Sequence, residues 1–558
     1  MRQQQSQDGF TALGIAGNHV VLLGWDISAK RIYELNILGF AIQRTRCSDG
    51  EVIWLSGMKT FKSVKPHPEP GVLVSTFSHP LQTFQWADYS VAPGQRYIYR
   101  IVAMCAPATQ LVPGPELQLI LETEPVDRGL HAVFFNRGAI ASQEYARRFQ
   151  NRPPSEVGQA AFDWLSRGLL EGLEAFIAKA GNGDELHGAF FEFKNKRVYS
   201  ALRQAKARGA KITILYDADS QRERNEEMIE HSRIKMLTKA RTRSGRFAHN
   251  KFLIWRQNGV SKAVWTGSTN LSENGLFGHS NNAHIVRDID IAEQYEQYWQ
   301  ILNHDTTRKP TATGVENLGL KPPDPWKQKI TTVFSPRLKL DVLDWYASLA
   351  RHAQRGLFAT FAFGMNDRFV KAYDIKDNVL RFALMEKKGS GRNYHKQAAE
   401  IDRIRRLNNV TIAVGNRIEL NAFDRWLKET NKAVNHAHVL YVHTKYMLID
   451  PLGDDPVIIV GSANFSKSST DTNDENMLVI RGDKAVADIY LGEYMRLFTH
   501  YAFRESLSFT KAYNSTNAQA WKYLIEDHNW IKGAFGKSSD YFMPGSNRSL
   551  RRRYFSGQ

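Results

Sequence analysis

Two short motifs in this sequence each place a histidine and a lysine two residues apart. The first is His249-Asn-Lys251 and the second is His443-Thr-Lys445. Each motif opens an apolar run typical of a strand, and alternate residues of a strand point to the same face. The histidine and the lysine of each motif are therefore expected to share one face, where they could act together on a phosphate.

A second motif follows each of these strands. The sequence Gly-Ser-x-Asn occurs after the next predicted strand in both places, and it offers a hydroxyl and an amide beside the histidine and lysine. Its polar side chains are Ser268, Asn270, Ser462 and Asn464. Doubled across a pseudo-two-fold axis, the motifs predict two His, two Lys, two Ser and two Asn around one pocket.

These residue types suit the cleavage of a phosphodiester. One neutral imidazole can attack phosphorus and hold the phosphoryl group covalently. A second imidazole, protonated, can donate to the leaving alkoxide and later activate water. The lysines, with Ser and Asn as neutral donors, would stabilise charge on the phosphate oxygens. We predict neither a metal nor a cofactor, and His436 and His438 are interpreted as surface or packing residues because no third ligand is evident.

Two ordered copies of this pattern resemble the phospholipase D superfamily, whose signature is His-x-Lys, four residues, Asp, and then Gly-Ser-x-Asn. The resemblance covers about 129 to 505, and the second half matches throughout, with Asp450 in the aspartate position. It implies a phosphodiesterase that acts through a phosphohistidine. By position, Glu475 is similar to the family carboxylate that orients the catalytic histidine.

The first half departs from the family pattern at two supporting positions. Arg256 stands where the aspartate is expected, and Ala283 stands where a glutamate is expected. We interpret both as tolerated, with a non-catalytic first half as the alternative. A carboxylate partner raises the pKa of a histidine, so His443, paired with Glu475, is expected to be the acid, and unpaired His249 the nucleophile.

The rest of the chain divides into segments by composition. Short strands with Ser-Asp-Gly and Ala-Pro-Gly turns predict an N-terminal all-β sandwich, with Trp25 in its core. Its late strands resemble a fibronectin type III module. Strands then alternate with helices twice in the same order, which predicts a duplicated α/β fold of two pseudo-symmetric β-α-β-α halves. The predicted bounds are 1–125 for the sandwich, 126–305 for the first half, 306–327 for a linker, 328–505 for the second half and 506–558 for a basic and aromatic extension.

The charge balance favours a polyanionic substrate. Lys and Arg number 74 against 57 Asp and Glu, which gives a net charge of +17. A basic run that leads into His249 contains Arg241, Arg243 and Arg246, and it either lines the entrance as a nucleic-acid-binding surface or is a solvated face. Arginines 551–553, expected on a surface tail, favour nucleic acid further.

Three functions therefore stay open, with a nuclease favoured. A phospholipase would make peripheral membrane contact through exposed aromatic residues around Trp521, Trp530 and 541–543. A phosphate-binding module without turnover would explain Arg256 and Ala283.

The remaining features concern location and partners. The N-terminus lacks an apolar segment and no run of about 18 apolar residues occurs, so we predict a cytoplasmic protein without a transmembrane segment. Cys47 and Cys105 are expected to be two buried thiols, with one disulfide between them as the alternative. The sandwich is expected to bind a protein partner, cap the enzyme or mediate self-association, and by analogy the architecture suits bacterial defence.

Overall fold

The computed structural model describes residues 1–69, 72–138, 142–150, 152–319, 328–389, 391–415, 442–512, 523–533 and 539–558. The chain begins with two four-stranded antiparallel sheets, in the orders β1-β2-β3-β9 and β11-β10-β4-β5. Their strands, together with three short ones, are β1 (Arg2–Gln7), β2 (Phe10–Ala16), β3 (Val21–Ile27), β4 (Ile37–Arg46), β5 (Val52–Trp54), β6 (Ser56–Gly57), β7 (Thr60–Phe61), β8 (Val74–Ser75), β9 (Gln85–Asp88), β10 (Arg96–Cys105) and β11 (Val112–Glu122).

Trp25 is fully buried in the core of the sandwich, as the sequence predicted. The first two strands form a hairpin through Asp8 and Gly9, both with positive φ. Asp-Gly is a favoured two-residue hairpin turn. The polar run of β1 hid this strand, because four of its six residues are exposed and show no alternation.

Two seven-stranded mixed sheets follow, and they have the same strand order. The first is β12-β18-β17-β16-β13-β14-β15, and the second is β19-β25-β24-β23-β20-β21-β22. This agreement is what a duplicated α/β fold requires. Their strands are β12 (His131–Phe135), β13 (Asp184–Phe190), β14 (Lys211–Asp217), β15 (Thr238–Arg241), β16 (Lys251–Gln257), β17 (Val260–Gly267), β18 (Asn282–Val286), β19 (Ile330–Ser335), β20 (Gly356–Phe361), β21 (Leu380–Met385), β22 (Val410–Val414), β23 (Tyr446–Ile449), β24 (Val457–Gly461) and β25 (Glu475–Arg481). A further short strand, β26 (Tyr523–Leu524), lies outside these sheets and pairs with β7.

The helices cover these sheets. They are α1 (Ala29–Glu34), α2 (Ser142–Phe149), α3 (Pro154–Val157), α4 (Gln159–Ser166), α5 (Leu169–Ala178), α6 (Lys196–Ala207), α7 (Arg222–His231), α8 (Ile289–Asn303), α9 (Arg308–Asn317), α10 (Asp341–Arg351), α11 (Asp367–Tyr373), α12 (Tyr394–Ile404), α13 (Lys467–Asp471), α14 (Lys484–Ala512) and α15 (Asn547–Ser556). No helix among these is long and apolar enough to cross a membrane.

The predicted linker is partly helical. Within 306–327, α9 buries Thr311 and Val315, and Arg308 donates to the backbone carbonyl of Asp471. Residues 320–327 lie outside the described part of the chain. The prediction of an irregular linker missed α9 because its Thr, Gly and Pro residues are poor helix formers, and packing against the neighbouring helix decides instead.

The C-terminal extension is not a surface tail. Trp530 and Tyr541 belong to the sandwich core, and α15 packs on β3, where a side chain on Gly24 would collide with the carbonyl of Phe555 at 2.1 Å. Arg552 forms an ion pair with Asp26. The extension therefore completes the sandwich, which corrects both the predicted tail and the predicted membrane-docking role of these aromatic residues; Trp521 lies outside the described residues.

Candidate active site

The two histidines meet because each lies beside a segment from the opposite half. His249 and His443 come just before β16 and β23. Isolated parallel bridges join Ala248 to Asp474 and Val442 to Ser280. The segment that enters β25 therefore runs beside the first histidine, and the segment that enters β18 runs beside the second.

Each imidazole is held by a residue of the other half. His249 Nδ1 lies 2.8 Å from Glu475 Oε2, and His443 Nδ1 lies 2.8 Å from Asn281 Oδ1. Both partner oxygens can only accept, so each Nδ1 carries the proton and each Nε2 is available to a substrate. The predicted pairing of His443 with Glu475 is therefore wrong, since the carboxylate belongs to His249.

The predicted counterpart of this carboxylate in the first half is also corrected. Ala283 pairs with Gly267 in the sheet as Met477 pairs with Gly461, so Ala283 corresponds to Met477. Asn281 follows Gly267 by the same number of residues as Glu475 follows Gly461. The first half thus has the amide of Asn281 at the position that corresponds to Glu475.

The motif serines orient these partners rather than face a phosphate. Ser462 Oγ donates to Glu475 Oε2 at 2.7 Å, and Ser268 Oγ donates to Asn281 Oδ1 at 2.8 Å. The expectation that both hydroxyls stabilise phosphate oxygens directly is corrected by these bonds. The preceding glycine allows the approach, because a Cβ on Gly461 would lie 2.2 Å from the carbonyl of Asn476.

The remaining motif residues are two lysines and two asparagines. Lys251 and Lys445 are buried, and the Nζ of each donates to the carbonyl of its own histidine. Burial lowers the pKa of Lys251 to about 7 and lowers the pKa of Lys445 well below its usual range. Within the described residues, the buried Oδ1 atoms of Asn270 and Asn464 have no hydrogen-bond partner.

Burial also decides the charge of the imidazoles. It lowers the pKa of His249 to about 4, although Glu475 opposes the shift. The pKa of His443 is lowered well below its usual value by burial first and then by the neighbouring Lys445, His279 and Lys251. Both rings are therefore neutral at pH 7, and an anionic phosphate would offset the positive charge of the nearby lysines.

The aspartate of the family signature lies away from the site. Asp450 follows the far end of β23, and its carboxylate accepts from the backbone N–H groups of 354–356 at 2.6–3.1 Å. Arg256, at the matching place in β16, forms an ion pair with Glu185 at 2.5 Å. The prediction of Asp450 as a catalytic residue is wrong, because its carboxylate holds the backbone of a turn. Arg256 likewise has a structural role, in an ion pair.

The predicted basic entrance is only partly exposed. Arg241 is 2% exposed and bonds Asp474 and Asp305, both at 3.0 Å, so its assignment to nucleic-acid binding is wrong. Arg243 and Arg246 are exposed. The guanidinium of Arg246 lies 5.0 Å from the ring centre of Phe247.

Sequence reasoning missed three residues of the site. Asn281 holds His443, the Phe191 ring centre lies 4.8 Å from that of His249, and the His279 ring centre lies 5.6 Å from that of His443. Counting residues from each Gly-Ser-x-Asn motif would have found Asn281. In the described ranges, no group of three or more His, Cys, Asp or Glu could hold a metal ion. His436 and His438 lie outside those ranges.

Comparison with known proteins finds the same resemblance in two segments of the chain. Residues 173–302 and 395–496 match the family described as cardiolipin synthase, PLD-like domain. A curated protein named phospholipase D from Rickettsia conorii is 32% identical over 102 residues, which are 18% of this chain and 48% of that protein. Another, from Rickettsia bellii, is 24% identical over 161 residues, 27% of this chain and 78% of that protein. Both matched segments are PLD-like, which confirms the predicted resemblance to the phospholipase D superfamily. The chain spans about half the length of the first of these relatives.

The solved structures that resemble the chain are more distant in sequence. Phosphatidylserine synthase of Haemophilus influenzae is 10% identical, with a TM-score of 0.41 over 64% of this chain and 94% of that one. The phospholipase D family member Nuc of Salmonella typhimurium is 17% identical, with a TM-score of 0.23 over 31% of this chain and 94% of that one.

Proposed function

We propose that this protein is a metal-independent phosphodiesterase that cleaves nucleic acid through a phosphohistidine intermediate. The observation that supports this proposal is the arrangement of the two imidazoles. The Nδ1 of each is held by a residue of the opposite half, and a buried lysine lies beside each ring. An imidazole held in this way presents Nε2 in a fixed direction, as nucleophilic and acid–base catalysis require.

The reaction would proceed in two displacements. In the first, Nε2 of His249 attacks phosphorus, the bond to the leaving oxygen breaks, and protonated His443 gives its proton to that oxygen. In the second, water attacks phosphorus, His443 takes a proton from the water, and the bond from phosphorus to His249 breaks. The products are an alcohol and a phosphomonoester, and both imidazoles return to their starting states.

The corrected pairing keeps His249 as the nucleophile, for a new reason. Its pKa of about 4 leaves the ring neutral at pH 7 despite Glu475. Phosphorylation makes the ring a cation, and Glu475 at 2.8 Å would stabilise that charge, as a triad carboxylate stabilises an imidazolium. His443 contacts the neutral amide of Asn281 instead of a carboxylate. Once it is protonated in the presence of a phosphate, it is therefore a stronger acid than His249 would be.

The surroundings of His249 favour nucleic acid. Arg246 covers Phe247, whose ring centre lies 5.7 Å from that of Phe191, and Phe191 packs against His249. Aromatic rings interleaved with cations suit the bases and phosphates of a nucleic-acid strand. The support from the C-terminal arginines is weaker than the sequence suggested, since Arg551 and Arg552 are half-buried.

A phospholipase is the second candidate. It is favoured by the two curated relatives, both named phospholipase D. The aromatic residues expected to dock at a membrane do not support it, because Trp530 and Tyr541 are in the sandwich core. The non-catalytic alternative loses its basis, since neither Arg256 nor Ala283 occupies a supporting position of the site.

A paired assay separates these functions. The purified chain is given single- and double-stranded oligonucleotides in one series and phospholipid vesicles in the other, with EDTA in both. We expect oligonucleotide cleavage that His443→Asn abolishes and that His187→Asn, a histidine outside the site, leaves intact. Headgroup release without oligonucleotide cleavage would replace the nuclease with a phospholipase, and inactivity on both would refute a phosphodiesterase.

We also propose that the N-terminal sandwich is a fibronectin type III-like module without a catalytic role. Its core is completed by the C-terminal extension, so it is part of the folded enzyme rather than a tethered domain. Truncation at 505 is expected to destabilise the sandwich, which differential scanning calorimetry would show.

A further inference from the structure

We propose that His279 is a third catalytic imidazole, which donates a hydrogen bond from its ring to the phosphoryl group on the side of the leaving oxygen. This inference rests on the proposed function, because it concerns the same phosphate. Neither the sequence motifs nor the family signature includes this residue.

The position of His279 follows from the segment that enters β18. Asn281 bonds His443, and alternate residues of an extended segment point the same way, so His279 faces His443 as well. The two ring centres are 5.6 Å apart with a tilt of 36°. His279 is 8% exposed, and it is close enough to His443 to lower the pKa of that ring.

The backbone of His279 is held firmly. Its N–H donates to the carbonyl of Asn274, and its carbonyl accepts from Asn136 Nδ2, both at 2.8 Å. Asn136 Oδ1 also accepts from the N–H of Asn281 at 2.8 Å. A Cβ on Gly138 would lie 2.7 Å from the His279 carbonyl, so the neighbouring backbone is in close contact as well. One buried amide thus positions both His279 and the partner of His443.

The residue that corresponds to His279 in the second half is Asn473, and it has a supporting role. Asn473 stands two residues before Glu475, as His279 stands two residues before Asn281. Asn473 Nδ2 bonds Glu475 Oε1 at 3.2 Å, so it supports the carboxylate of the nucleophile. In the second half, the residue at this position therefore supports Glu475, the partner of His249. The first half replaces it with a longer donor beside the acid, where a phosphoryl oxygen gains charge as the leaving group departs.

The role requires no proton transfer by His279 itself. A ring N–H at hydrogen-bond distance from an oxygen that gains charge stabilises the transition state more than the ground state. Removal of one such donor typically lowers kcat by about 10²-fold. We therefore expect a loss in kcat rather than in KM alone.

The test compares a variant without a donor with one that keeps it. For His279→Phe we expect kcat on a phosphodiester to fall about 10²-fold, with folding intact by circular dichroism and melting temperature. For His279→Gln, which retains an N–H donor, we expect a fall of about tenfold or less. The matched control is His79→Gln, which changes another buried histidine within the sandwich and should leave kcat within twofold. A kcat of His279→Phe within twofold of the wild type, or equal losses in both His279 variants, would overturn the proposal.

A binding measurement separates this proposal from the reaction itself. Inorganic phosphate is titrated into the wild type and into His279→Phe by calorimetry, in EDTA. We expect the affinity to fall about tenfold in the variant. If the wild type cleaves no phosphodiester, the proposed function fails, but this measurement still decides whether His279 contacts a phosphate. Equal affinity in both proteins would refute the contact.

Discussion

The replacement Glu475→Gln removes one charge from the site and little else. Glu475 is 1% exposed and accepts from His249, Ser462 and Asn473 at 2.8, 2.7 and 3.2 Å. Glutamine keeps the shape and one acceptor oxygen, and the amide of Asn473 can rotate to meet the new N–H group. The variant is therefore expected to fold, while the phosphorylated imidazole loses its counter-charge.

The size of the effect follows from the distance. A carboxylate and an imidazolium about 4 Å apart attract by about 4 kcal/mol at an effective dielectric constant of 20. Part of this attraction is already present in the ground state as a hydrogen bond. A loss of about 2–4 kcal/mol of transition-state stabilisation lowers the rate roughly 30-fold to 1,000-fold.

Single-turnover kinetics with a rapid quench measures the phosphorylation step directly. We expect this step to slow by the stated factor, and we expect the alkaline limb of the pH profile to move to lower pH. The second effect arises because Glu475 raises the pKa of Lys251, which burial has lowered to about 7. The matched control is Glu296→Gln, another buried glutamate paired with a histidine, since Glu296 lies 2.8 Å from His187 outside the site. A phosphorylation rate of Glu475→Gln within threefold of the wild type would refute this account of Glu475.

Four further predictions follow from the same geometry. Arg241→Leu leaves Asp474 buried without its cation, so the free energy of unfolding should fall by about 3–5 kcal/mol in urea titrations, whereas an unchanged midpoint would contradict the buried pair. Arg246→Ala should leave that midpoint unchanged but weaken oligonucleotide binding and reduce its salt slope by about one, as fluorescence anisotropy would show; an unaltered slope would remove this arginine from the interface. Asn281→Asp should raise the pKa of His443, observed by NMR of the ring, because a carboxylate favours the imidazolium; a lower pKa would contradict the contact. The folded-state pKa of His249, about 4, lies below its unfolded value of 6.5, so the unfolded chain binds the extra proton between pH 6.5 and 4, and stability should fall as the pH falls through that window. His249→Asn should flatten this dependence, and thermal melting at several pH values would test it.

The residue types and spacing of the site were accessible from the sequence because strand geometry is local. A histidine and a lysine two residues apart share a face in extended backbone, and the two motifs lie where the chain enters β16 and β23. The sequence could not show that each histidine is held by a residue of the opposite half. This arrangement depends on which segment packs beside each histidine, and the bridges of Ala248 to Asp474 and of Ser280 to Val442 are contacts between the two halves.

The errors elsewhere have a similar physical origin. The basic run before His249 suggested a solvated surface, but Arg241 is drawn inward by two carboxylates distant in sequence. The aromatic and basic C-terminus suggested a tail, but it returns to the N-terminal sandwich and supplies Trp530 to its core. Composition alone does not reveal such long-range partners.

The central claim is that His249 carries the phosphoryl group while Glu475 supports it. The most direct measurement is to quench the reaction at alkaline pH within the first turnover and to locate the phosphate by mass spectrometry of the histidine-containing peptides. The account predicts a phosphohistidine at His249, increased in amount when His443 is replaced by asparagine and a substrate with a good leaving group is used. A phosphohistidine at His443, or turnover without any covalent phosphate, would contradict it.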